Sequence, residues 1–159
     1  MNMLTINGEI NDVMAASLIR QILDISDINP KETITIYISS KGGKVTAGMA
    51  IYDVISFVSN PINTIAQGEV AGIATVILAA GTEGMRYAYK GSSISLGGFW
   101  VNGDVQFISK EIDSTVQKIY YIIAKHAKMW VEKVKEMASN ETFIDVDCAK
   151  KCGLIDKII

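Results

Sequence analysis

A chain of 159 residues fits a single domain (1–159), large enough to bury roughly two-thirds of its unfolded surface without a disulfide or metal staple. Apolar residues make up 49% and mean hydropathy is +0.26, a content that points to burial against copies of itself or a partner. A net charge of −2 without a basic run argues against nucleic acid, and the longest apolar run, Val70–Ala80, is too short to cross a bilayer, so no membrane partner is expected.

The elements follow in order. Leu4–Ile6 reads as a short strand, and Gly8-Glu9 as a turn. Asn11 or Asp12 can cap a helix with apolar positions Val13, Leu18, Ile22 and Ile25, a connection that Pro30 ends. Thr33–Ser39 is β-branched and alternating, as a strand requires. Lys41-Gly42-Gly43 forms a tight turn, and Thr46 can cap the next helix through Met49, Tyr52, Ile55 and Val58. Asn60-Pro61 breaks that helix, and Ile62–Ala66 returns as a strand. Gly68 starts a sharp turn into a helix from Ala71 to Ala80, closed by Gly81–Gly84. Met85–Tyr89 and Ser92–Leu96 are two more strands.

Next, Ile108, Ile112, Val116, Ile119, Ile123, Trp130, Val134 and Met137 recur at three- and four-residue spacing. They predict one helix of roughly thirty residues, long enough to project and pack on a neighbour. Val146–Cys152 reads as a short helix stopped by Gly153, and Leu154–Ile158 as a last strand. Cys148 and Cys152 lack a second Cys/His pair, so they make a poor zinc pattern. Reduced, buried thiols on one helix turn are expected, in a cytosol-like compartment. No metal or cofactor is implied. No basic region precedes an apolar core at the N-terminus, so secretion is not expected.

Strand–helix alternation implies an α/β layered fold. Periodicity alone leaves open a doubly wound sheet or a spiral of β-β-α units.

The run Ser40-Lys41-Gly42-Gly43-Lys44-Val45-Thr46-Ala47-Gly48-Met49-Ala50-Ile51-Tyr52-Asp53 resembles the S-P-G-G-x-V-T-A-G-M-A-I-Y-D of the Clp protease proteolytic subunit (ClpP), with Lys41 in place of proline. Gly8-Glu9-Ile10-Asn11-Asp12, Leu78-Ala79-Ala80-Gly81 and Gly153-Leu154-Ile155-Asp156-Lys157 extend the resemblance, in order, over nearly the whole chain. It implies a ClpP/crotonase-like spiral of β-β-α units with a long projecting helix. About 1–96 and 138–159 would form the head, and about 97–137 a shortened handle.

The family's activity rests on a serine–histidine–aspartate triad, in which an imidazole activates the hydroxyl and a carboxylate orients the imidazole. Its G-x-A-A-S-M-G-A corresponds to Gly68–Thr75, which sets Gly72 at the nucleophile position. Its R-I-M-I-H-Q-P corresponds to Ser93–Phe99, which sets Gly97 at the base position. Its D-x-F corresponds to Glu141-Thr142-Phe143, which sets Glu141 at the acid position. His126, the only histidine, falls in the apolar stripe of Ile119, Ile123 and Trp130 and reads as a packing residue. Ser92, Ser93, Ser95, Thr75 and Lys90 show no motif for a substitute site.

The resemblance makes the backbone N–H groups of Gly43 and Ile73 the oxyanion donors, which survive loss of side chains. The glycine-rich handle segment is shorter here, Gly97–Asp104, leaving Phe99 and Trp100 to fill the vacated cleft or form a new apolar contact. The family's pore-lining N-terminal segment has no counterpart in the sequence. Together these imply a non-catalytic subunit, like the ClpR proteins, in rings of about seven with itself or active ClpP-like subunits. An AAA+ unfoldase would feed the chamber, in cytoplasm or organelle stroma. Two other readings are an active serine peptidase with an unrecognised site, and a non-proteolytic peptide-binding module on the same fold.

Overall fold

A computed structural model describes residues 2–97, 110–140 and 143–159. In chain order the elements are β1 (Asn2–Asn7), α1 (Asp12–Ile28), β2 (Ile34–Ser40), α2 (Val45–Phe57), β3 (Ile62–Val70), α3 (Ile73–Ala79), β4 (Arg86–Ala88), β5 (Ser93–Ile94), α4 (Lys110–Ala127), α5 (Val131–Ser139), β6 (Ile144–Asp145), α6 (Val146–Lys151) and β7 (Lys157–Ile158).

The main sheet runs β1-β2-β3-β4-β7, and every neighbouring pair is parallel. The first four strands lie in sequence order. Parallel crossovers are right-handed, so an order without reversal carries the helices along one face. Accordingly α1 packs on α2, α2 on α3 and α3 on α4. This favours the spiral over a doubly wound sheet, whose strand order would reverse. Central β2 buries Ile34, Thr35, Ile36 and Ile38, because a parallel strand is covered on both faces.

β3 serves two layers. Ile38 pairs with Ala66, but Ser40 pairs with Val70, so β3 carries extra residues around Gly68 (φ 60°). Such a bulge bends the strand. Below it, Thr64–Ala66 pairs with β4; beyond it, Glu69 and Val70 pair with β5, which continues antiparallel to β6.

Several sequence expectations are corrected. Asn11 does cap α1, its Oδ1 accepting the Met14 N–H at 2.9 Å. The buried stripe is Ala15, Leu18 and Ile22, however, while Val13 is 80% exposed in the first turn. The N-cap of α2 is Lys44, without a side-chain bond; Thr46 already lies inside the helix. The sharp turn at Gly68 is instead the bulge within a longer β3.

The single long helix is two helices. α4 ends at Ala127, and Lys128 turns left-handed at φ 54°. The Met129 N–H then reaches back to the Ala124 carbonyl at 3.0 Å, a Schellman-type stop. Two partners from elsewhere fix the break. The Arg86 guanidinium donates to the His126 carbonyl at 3.0 Å, and Gly153 lies so close that a Cβ there would meet the Ala127 carbonyl oxygen at 2.3 Å. Ile119, Ile123, Ala127, Val134 and Ala138 all join the core, whereas Trp130, at the break, is 84% exposed. Among the described residues no helix is long and apolar enough to cross a membrane.

Candidate functional site

The site is built from three backbone segments that meet at the start of α3. All seven residues of α3 are buried, and the helix rises from Gly72, whose φ 56° and ψ −133° define a strained strand-to-helix turn. That is the geometry of a nucleophile elbow, in which a sharp turn lifts one residue to the head of a helix. Here the lifted residue has no side chain.

The second segment is the turn after β2. Gly42 (φ 98°) lies against the elbow, where a Cβ would stand 3.1 Å from the Ala71 carbonyl oxygen and 3.4 Å from the Ile73 nitrogen. Gly43 (φ 147°) lies against Ile10, whose carbonyl oxygen a Cβ would meet at 2.3 Å. Ile10 binds this turn on both sides: its N–H donates to the Gly42 carbonyl at 2.9 Å, and its carbonyl accepts from the Lys44 N–H at 2.8 Å. Ser40 is buried, with Oγ accepting the Gly42 N–H at 3.1 Å, and its carbonyl accepts the Ala71 N–H at 2.9 Å. Lys41, the departure from the family's proline, pairs with Glu69 across the turn at 2.8 Å.

The third segment follows β5. The Gly72 N–H donates to the Gly97 carbonyl at 3.0 Å, so these two glycines meet backbone to backbone. The Gly97 N–H in turn donates to Ser95 Oγ at 3.2 Å. Thr75 is fully buried and staples the layers: its hydroxyl donates to the Ser95 carbonyl at 2.6 Å and stands 3.3 Å from that of Val70. Sequence reasoning set Thr75 aside and overlooked Ser40, because both act through strand edges that only the fold brings near.

The structure thus gathers Gly42, Gly72, Ile73 and Gly97, while Gly43, next along the chain, packs against Ile10. Among the described residues, neither the Gly43 nor the Ile73 N–H has a hydrogen-bond acceptor. For Ile73 the reason is general: the first residue of a helix has no carbonyl four residues back within that helix. Its side chain is anchored by Gly48, where a Cβ would lie 2.2 Å from Ile73 Cγ1. Glu141, Phe99 and Trp100 lie outside the described residues, as does 98–109 of the segment 97–137 expected to form the handle.

The polar alternatives are otherwise engaged. His126 Nε2 stands 3.2 Å from the Tyr52 hydroxyl, and the rings meet edge to face at 5.8 Å. Burial, with the nearby Lys125 and Arg86 charges, pushes its pKa below the ordinary value. Ser92 Oγ donates to the Ala66 carbonyl at 3.0 Å, and Lys90 is exposed. Cys148 is exposed and Cys152 half-buried, which corrects the expectation of two buried thiols: α6 turns Val146 and Ala149 to the core, not Cys148.

At positions 72 and 97 the arrangement offers neither a hydroxyl nor an imidazole. Family members form oligomeric rings and work with AAA+ unfoldases. The model of the Clp protease family matches residues 1–159, and the chain belongs to that family.

Proposed function

We propose that this chain is a non-catalytic, ClpR-like subunit of a Clp-type protease barrel, serving ring assembly and shaping of the proteolytic chamber. The observation that carries this reading is Gly72, which holds the elbow turn with no side chain and bonds through its backbone to Gly97 at 3.0 Å. Acyl transfer needs a nucleophile and a proton shuttle, and neither position supplies one. That the Gly43 and Ile73 N–H groups have no acceptor among the described residues supports a second role for the same site, weak binding of an extended peptide through a carbonyl oxygen, without turnover. On this reading Phe99 and Trp100 belong to a shortened handle over 97–137, and Glu141 occupies the acid position without an imidazole to orient. The working compartment is cytoplasm or organelle stroma.

An active-serine-directed fluorophosphonate tests the non-catalytic part. The purified chain, alone and mixed with an intact Clp proteolytic subunit, is expected to stay unlabelled while the intact subunit reacts. Labelling of any residue of this chain would overturn it.

A further inference from the structure

A groove lies between α5, β6 and α6, reaching Leu96, the residue before Gly97. It has a volume of about 280 Å³ and is mostly apolar, and its walls include Leu96, Lys133, Met137, Ile144, Cys148 and Cys152. Three sulfur-bearing side chains therefore face one cavity. The Cys152 N–H donates to the Cys148 carbonyl at 2.9 Å, so the two cysteines are one α-helical turn apart.

That spacing decides what the pair can do. Residues four apart on a helix hold their Cβ atoms about 5–6 Å apart. A disulfide needs about 3.5–4.5 Å, so the pair cannot close one without unwinding the turn. A metal bound to two sulfurs at about 2.3 Å each spans about 4.6 Å, which the turn accommodates. Zinc is a poor fit, since its sites want four ligands and no cluster of three His, Cys, Asp or Glu exists among the described residues. Thiolate and thioether donors in an apolar wall instead select soft Cu(I).

We propose that Cys148 and Cys152 form a dithiol site that binds one Cu(I) ion as a bis-thiolate, with the Met137 thioether as a third sulfur. Binding breaks two S–H bonds, forms two S–Cu bonds and releases two protons to solvent, with no change of oxidation state. The complex carries one net negative charge; on the groove wall the Lys133 ammonium is paired with the Glu136 carboxylate at 3.0 Å.

The test is a Cu(I) titration of the reduced full chain, without oxygen, against the chromophoric chelator bicinchoninate. One equivalent of Cu(I) per chain should be withdrawn from the chelator. Cys148→Ser, at an exposed position, and Cys152→Ser, which keeps a donor for the Ala149 carbonyl, should each lose that equivalent with unchanged circular dichroism. Met137→Leu should weaken the binding without abolishing it. A full equivalent retained by either serine variant, or none held by the parent chain, would overturn the proposal.

Discussion

At the residue scale, the glycines of the 42–43 turn are fixed by contact. At Gly43, φ 147° and a Cβ position 2.3 Å from backbone oxygen leave no room for alanine. Gly43→Ala should destabilise the fold by about 3 kcal/mol or more, since strain and a backbone clash act together. Gly91, exposed and with open space around its Cβ position, is the control. Gly91→Ala should stay within about 0.5 kcal/mol, and urea unfolding of the two variants checks both. The turn was legible in the sequence because Gly42-Gly43 sits in a long motif between a β-branched run and a helix. Ser40 and Thr75 were not, because their roles depend on Ala71 and Ser95, distant in sequence. Cys148 misled for a subtler reason: on a helix as short as α6, one step of phase separates a core position from an exposed one.

At the element scale, the end of α4 depends on Arg86. Its guanidinium bonds the His126 carbonyl and both oxygens of Asp156, at 2.6 and 2.8 Å, in a largely buried pair. Burial raises the Asp156 carboxyl, but the Arg86 bonds and charge, with the Gly84 N–H, outweigh it and hold the pKa below the usual carboxylate value. Arg86→Ala removes both partners at once and should cost about 3–5 kcal/mol in urea unfolding. Lys128 pays a left-handed backbone at the same break. Lys128→Gly should be neutral to stabilising by up to about 1 kcal/mol, as expected where glycine takes over a left-handed cap. Loss of stability there would contradict the cap assignment. The Asn11 cap and the amphipathic stripes of α4 and α5 could be read from sequence, since periodicity and capping are local; the strand order could not, since periodicity left a doubly wound sheet and a spiral both open. The break between α4 and α5 could not: the stripe runs through it with the right spacing, and its causes, Arg86 and Gly153, come from other elements.

At the scale of the whole molecule, acid should loosen the fold in two stages. His126 titrates lower in the folded state than its ordinary value of about 6.5. Below that value the unfolded chain binds more protons, so stability falls as pH falls towards the folded pKa. Asp156 adds the same sign in a lower window, beginning near the ordinary carboxylate value of 3.8. His126→Gln should remove the upper stage alone, read as a flatter dependence of the urea midpoint on pH between about 6.5 and 5. An unchanged slope would show that His126 does not carry it.

The spiral, the parallel run β1-β2-β3-β4-β7 and the elbow make a Clp-type body, and the account holds that this body assembles without performing the chemistry. Its most direct test is the native mass of the chain, alone and mixed with an intact Clp proteolytic subunit, near neutral pH at micromolar concentration. The account predicts rings of about seven subunits, alone or mixed, each copy of this chain adding 17.3 kDa. A chain that stays monomeric in both conditions, apart from the rings of the intact subunit, would contradict it.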